Sequence, residues 1–459
     1  MNKTRVGIVG GGPGGLMTAY LLERRLKAPC DITIFEADSR VGGKIVTREF
    51  SRASIRYEAG AAELYDYSQL GPDPLRELIA ELGLSVSPMA GETVVMDERI
   101  LKSTSDIGRE LGEGTCRALR DFNRFARGAI SPAEYYESDW QTENHNPLSS
   151  QTFHELLAKI GDESARRYVE VRVHSDLATE PHLTKALYGL ENYLMDEPDY
   201  MRLYSINGGL DLLPRALADR IKARVLLNHT VTRVEKVAQR LYRVHSRTHS
   251  EVWWEDFDFV VIALPNNWIP SIHWGDPLLA DAMHRHHVFY DYPAHYLRVS
   301  VLFDNLFWRD HIAESYFMLD AFGGCCVYDE SSRNPTGSYG VLSWLLAGEP
   351  ALSMNNRDDA SLIDAVLDSL PASLSHGRQH FVEGRVHRWV GTVDGLPGGF
   401  PAREPDSQHQ PEPTQHPELF VVGDYLFDST INGVRDSAEV VVEWIQELLE
   451  EIPAQAAAS

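Results

Sequence analysis

Apolar positions along this chain come in blocks whose period switches between two and about 3.6. Arg5 to Val9 is short, apolar and β-branched, a glycine cluster follows, and Leu16 to Leu26 is an amphipathic helical stretch. A second apolar strand, Ile32 to Phe35, ends at Glu36, so the first forty residues predict a βαβ unit. Ser205 to Glu235 predicts a glycine turn, a helix and strands at Val225–Leu227 and Val231–Val234, and Phe257 to Ala263 a further buried strand closed by a proline. Near the end, LFVVGDY repeats the strand-then-glycine pattern, and Ser437 to Leu449 predicts an amphipathic helix. These pieces imply an α/β body assembled discontinuously from residues 1–83, 205–268 and 416–452. The insertions 84–204, mainly helical, and 269–415, mixed and rich in aromatics, imply a second, α+β body. Pro401 to Pro417 reads as a surface loop, and 453–459 as a frayed tail.

Composition narrows the function classes. With 459 residues, two or three cores are expected, and 43% hydrophobic and 24% charged residues exclude a disordered or disulfide-scaffold chain. The net charge of −24 argues against broad binding to nucleic acid or anionic membranes. The four cysteines (Cys30, Cys116, Cys325, Cys326) form no CxxC pair and lack zinc-site spacing. No apolar run is long enough to span a bilayer, and the first residues lack a signal-peptide pattern. A reduced, cytoplasmic chain is expected, with the oligomeric state open, a homodimer included.

Gly10, Gly12 and Gly15 stand in GxGxxG register directly after a strand and before a helix. In that position the first glycine permits the tight turn, the second lets the backbone approach a pyrophosphate, and the third lets helix and strand pack closely. The helix N-terminus then faces the phosphate charge. Glu36, at the tip of the second strand, is placed to accept hydrogen bonds from a ribose.

Beyond the turn, RVGGKIVT at Arg40 to Thr47, YEAGAAEL, GGLDLLPRAL, IALP, the Trp389 region and GDYLFDSTINGVRDSAE follow in order. With these motifs the chain resembles, over nearly its whole length, the flavin-containing amine oxidase superfamily, which includes monoamine and L-amino acid oxidases and the more distant phytoene desaturases. The resemblance implies a Rossmann-like FAD-binding domain carrying an inserted substrate domain. It implies that Glu36 holds the adenosine ribose, that Arg40, Gly43 and Lys44 lie near the pyrophosphate and flavin, and that Gly60 and Ala61 border the isoalloxazine. Val231 would touch the adenine, Trp389 would lie by the flavin, and Gly423 and Asp424 would meet the ribityl or phosphate region. The helix after Asn432, Gly433 and Val434 would point its N–H groups at the flavin, where a positive helix end stabilises the anionic reduced ring. No cysteine stands near Trp389, so the FAD is expected to be non-covalent.

The chain departs from the amine oxidase pattern at three places. Where many members carry a lysine ten residues before the Trp of a Phe-Trp pair, counting back from Trp308 gives Arg298. Strand alternation puts Arg298 and Ser300 on one face and Val299, Val301 and Phe303 on the other. Arginine is a poor base but grips oxygens in a fixed fork, and a structural salt bridge is an equal alternative. The positions of the family's aromatic cage fall on Gly399 and Thr430, with Phe400 or Tyr425 as substitutes. Where L-amino acid oxidases carry a carboxylate-gripping arginine, this chain has Glu63, suited to attract an ammonium, accept a proton or pair with Arg298. Tyr65, Tyr67, Tyr316, Phe317 and Trp344 are candidate cavity walls. Arg298 and Glu63 are the expected catalytic residues. The expected reaction is hydride removal from a carbon next to nitrogen in an amine or amide, giving an imine, with dioxygen reduced to hydrogen peroxide. The alternative is carbon–carbon desaturation of the protoporphyrinogen-oxidase kind.

Overall fold

The computed structural model describes residues 3–27, 29–136, 140–197, 199–333, 337–427 and 429–458. Its organising element is a five-stranded parallel sheet, in the order Arg224–Leu226, Cys30–Phe35, Thr4–Val9, Phe259–Ile262, Leu419–Val421. Its strands come from three widely separated stretches of sequence, and both faces are covered. That is why they read as continuous apolar runs. Val6, Ile8, Ile32, Ile34 and Val261 face the helices Pro13–Arg25 and Ile431–Ala458. Val9, Phe35, Val260 and Ile262 face a second sheet, of four strands, with Val234, Tyr242, Val244 and Phe257. Gly7 lets these layers meet, since a Cβ there would fall 2.7 Å from the Phe257 ring.

A seven-stranded sheet runs in the order Phe381–Asp394, Pro293–Phe303, Gly340–Ala347, Cys325–Asp329, Tyr316–Leu319, Val94–Met96, Arg99–Leu101. Its strand Pro293–Phe303 obeys the expected alternation: Leu297, Val299, Val301 and Phe303 lie in an apolar core with Phe307, Trp308 and Trp344. Burying each such side chain contributes about 1.5–3 kcal/mol. The other face turns Tyr296, Arg298 and Ser300 towards the helices Glu163–Leu177 and Ala186–Leu194 and the segment around Gly60. A small sheet of Leu64–Asp66, Arg202–Ile206 and Val86–Met89 connects the two regions.

Several sequence expectations change. The stretch 84–204 is not only helical: it supplies four strands, of which Arg99–Leu101 pairs locally with Val94–Met96 while the other three have partners far along the chain. Pro401 to Pro417 is not a plain surface loop. It includes a short helix, Pro405–His409, and buries His409 and His416 completely or nearly so. The closing helix starts at Ile431, six residues before the expected start, and its backbone stays helical to Ala458 where a frayed tail was expected. Ser459 lies outside the described residues. Among the described residues no helix is long and apolar enough to cross a membrane.

Candidate active site

The glycine turn is as tight as its spacing predicts. Gly10 has φ +111°, and a Cβ on it would meet Ala263 O at 2.3 Å; one on Gly15 would meet Gly10 O at 2.0 Å. Gly12 caps the helix Pro13–Arg25 without any side-chain hydrogen bond, and the first turn carries no acid, so its N–H groups suit an anion. The turn faces the twin-glycine loop: Gly42 N donates to Gly11 O, and a Cβ on Gly12 would lie 3.8 Å from Gly43 Cα. Glu36 sits at the same edge, accepting from Gly11 N at 2.7 Å and Asp38 N at 2.8 Å. His229 N donates to Glu36 O, which brings Val231, buried among Val9 and Phe35, to that end of the sheet.

Arg40 serves its own loop. Its guanidinium donates to the carbonyls of Val41, Gly43 and Ile45, holding the twin glycines in shape. It also lines a cavity of about 440 Å³ with Arg48, Asp211 and Arg215. Lys44 ties three segments together: its Nζ donates to Asp424 at 2.6 Å and to Thr392 O at 2.9 Å. Asp394, at the end of the same strand as Thr392, is raised to about 8 by burial and by the neighbouring Asp424 charge. Trp389 donates its indole N–H to Ala59 O at 2.6 Å, and its ring lies where a Cβ on Gly60 would be 3.5 Å away. Gly60 itself admits no side chain, because a Cβ would fall 1.9 Å from Lys44 O.

At the closing helix, Thr430 Oγ1 caps Gly433 N at 3.0 Å, and Val434 is buried. Asn432 donates to Tyr65 O at 3.4 Å, while its Oδ1 is buried without a hydrogen-bond partner among the described residues. An orphaned acceptor of this kind costs about 1–3 kcal/mol unless a ligand group meets it. Gly423 N donates to Ser437 Oγ, fixing the turn before Asp424.

Arg298 is 1% exposed. It donates through Nη1 to Gly60 O and through Nη2 to Glu330, both at 3.1 Å, and its guanidinium lies 4.7 Å from the Tyr328 ring centroid. Burial works against its charge, but Glu330 and Tyr328 outweigh it and hold the guanidinium protonated. Glu330 also accepts from Glu58 N at 2.6 Å, so the salt bridge and the Gly60 contact both exist. His387, the cross-strand neighbour of Arg298, is pushed down to about 4 by burial and by the Arg298 charge.

Glu63 is near enough to Asp176 for its charge to act on it. Half-buried Tyr65, Tyr188 and Tyr296 pack against the core containing Tyr328 and Cys326. Burial first, then the charges of Asp196 and Glu63, hold the Asp176 carboxyl well above the carboxylate range. Tyr316 donates to Asp196 at 2.6 Å. Of the candidate cavity walls, Phe317 and Trp344 take the alternative role of plain core, at 1% and 0% exposure, because they point to the opposite face of their strands. Gly399 donates its N–H to Ser149 O, and Phe400 and Tyr425 join an aromatic cluster with Tyr290. Sequence reasoning missed Tyr296, which the same alternation that exposed Arg298 could have found. Glu330, Tyr328, Tyr188 and Asp176 carried no local signal.

The site thus combines a glycine turn after a parallel strand, a second glycine loop that packs on it, and a buried arginine–carboxylate pair that reaches the Gly60 carbonyl. The family model for flavin-containing amine oxidoreductases matches residues 13–443, and the chain belongs to that family. It is a flavoprotein oxidoreductase. An L-amino-acid oxidase of Gloydius blomhoffii is 23% identical over 411 residues, 82% of this chain and 73% of that protein. The flavin-containing amine oxidase A of Equus caballus is 24% identical over 290 residues, 59% of this chain and 51% of that one. The solved structure of putrescine oxidase bound to putrescine superposes with a TM-score of 0.78 at 18% identity, covering 99% of both chains.

Proposed function

We propose that this chain is an FAD-dependent oxidase that removes a hydride from a carbon next to nitrogen, in an amine or amide, to give an imine, with dioxygen reduced to hydrogen peroxide. The observation that carries the reading is the carboxylate of Glu63 three residues from Gly60, whose carbonyl Arg298 holds. FAD, when bound, supplies the two-electron acceptor. Gly10, Gly12 and Gly15 would cradle its pyrophosphate with Gly43 and Lys44, Glu36 its ribose, and Val231 its adenine. Arg40 would lie beside the pyrophosphate as well as hold the loop: its Nη groups donate to backbone carbonyls, while its Nε is buried without a hydrogen-bond partner among the described residues. Asp424 and Gly423, then Asn432, Gly433 and Val434, would meet the ribityl chain and ring edge, with Gly60, Ala61 and Trp389 beside the ring. The fit rests on the glycine cradle, the side-chain-free helix cap and the orphaned Asn432 Oδ1.

Glu63 attracts the substrate ammonium or takes a proton from its N–H, and Arg298 fixes the Gly60 backbone and the local charge. Packed tyrosines exclude water around the reacting carbon. On mixing anaerobically with an amine substrate, Glu63→Gln reduces the flavin at least about tenfold more slowly than the wild type while retaining full flavin content. An unaltered reduction rate would remove Glu63 from the chemistry. Acid precipitation should release the yellow colour into the supernatant; a flavin that stays with the pellet is covalently held.

A further inference from the structure

The cavity of about 440 Å³ beside the twin-glycine loop is lined by groups that the proposed cofactor cradle leaves unused. Its walls come from the loop at Arg40 and Val41, the strand Thr47–Glu49 at Arg48, the helix Leu212–Arg220 at Arg215, and the strand Arg224–Leu226 at Val225. The helix packs on the loop, since a Cβ on Gly42 would fall 3.0 Å from Pro214, while Gly42 N donates to Gly11 O. The loop thus bridges the glycine turn and this helix. None of Gly10, Gly12, Gly15, Glu36, Val231 or Asn432 lines the cavity, which makes it a separate space that shares only Arg40 and the loop with the cradle.

Three arginines and a single acid, Asp211, line this space in a chain whose net charge is −24. Asp211 is taken up by Arg215 at 2.5 Å, and Arg40 is held by the loop carbonyls and by Asp38 at 3.4 Å. Arg48 is exposed and makes no hydrogen bond or ion pair among the described residues. Much of the remaining wall is aliphatic, and Leu227 at its rim is exposed. A guanidinium offers a fork of donors that matches carboxylate and phosphate oxygens alike. A concave apolar wall of this volume with a few polar groups is the common form of a small-molecule site.

We propose that this cavity binds a small organic anion, a carboxylate or phosphate monoester on a short aliphatic chain, with its charged end on Arg48 and its chain against Val225 and Leu227. The site is separate from the flavin and from the oxidised carbon, so the inference does not depend on which bond the enzyme oxidises.

The test is calorimetric titration of the flavin-loaded protein with hexanoate, hexyl phosphate and the neutral 1-hexanol. One of the two anions binds once per chain and at least about tenfold more tightly than 1-hexanol, roughly the worth of one charge-assisted contact, and the tighter anion identifies the head group. Arg48→Gln weakens that binding about tenfold, and Ala218→Phe, which fills the cavity, abolishes it, both with wild-type flavin content. Arg48→Gln alters an exposed side chain and keeps the test decisive if the bulkier variant does not fold. Failure of both anions to bind, equal binding of 1-hexanol, or anion binding untouched by either substitution overturns the proposal. Binding that appears only after the flavin is stripped also overturns it, by making the cavity part of the cofactor's own site.

Discussion

Arg298 is the residue where two roles meet. It is fully buried, so its charge survives only because Glu330 faces it and Gly60 O accepts from it. Removing the guanidinium leaves a buried carboxylate without its cation, which costs about 3–5 kcal/mol, whereas removing both charges costs far less. Arg298→Met should therefore lower the unfolding free energy by that amount in denaturant titrations, and Arg298→Met/Glu330→Gln should recover most of it. Equal destabilisation of the single and double variants would show that Glu330 is not its main counterion. Arginine suits this place better than lysine because its fork reaches carbonyl and carboxylate together.

At the scale of elements, the junction of three segments through Lys44 decides how the cofactor groove responds to pH. Asp394 lies at the end of the strand Phe381–Asp394, its carboxyl raised to about 8 by burial, with Asp424 adding to the rise and Lys44 opposing it. An unfolded aspartate titrates near about 3.9. The folded group thus binds its proton more tightly than the unfolded one. Its contribution is fully present below the unfolded value and is lost as pH rises through the folded value, over the window from about 4 to about 8. Asp394→Asn mimics the protonated state. It should melt at a temperature close to wild type at pH 4 and several degrees above it at pH 8; identical curves for the two proteins at both pH values would mean that Asp394 stays ionised in the fold.

For the whole molecule, the parallel sheet is built from strands that arrive from residues 4–35, 224–262 and 419–421, and the proposed cofactor would meet residues in or just after each stretch. A ligand bound to the folded state alone stabilises it by about 2.7 kcal/mol at a hundredfold excess over its dissociation constant. Stripping the flavin should lower the melting temperature by several degrees. Added FAD should restore it and NAD should not, while recovery with NAD would transfer the glycine turn to a nicotinamide. The acidic surface charge plays no part in this; it bears on solubility and on which partners approach.

The sequence by itself determined the parts whose physics is local. Gly10 and Gly15 had to be glycine because no Cβ fits there, Glu36 had to end the second strand, and period-two alternation placed Arg298 opposite Val299. Family motifs then identified the flavin chemistry, and the matched span of residues 13–443 agrees. Only the tertiary structure decided the partners of buried charges. Glu330 meets Arg298 across 32 residues, Asp424 meets Lys44 across 380, and Asp176 comes close to Glu63 from a distant helix. A charge buried in a low dielectric is governed by whatever stands within a few ångströms of it, and that neighbourhood is set by how separate elements pack, which no window of sequence contains.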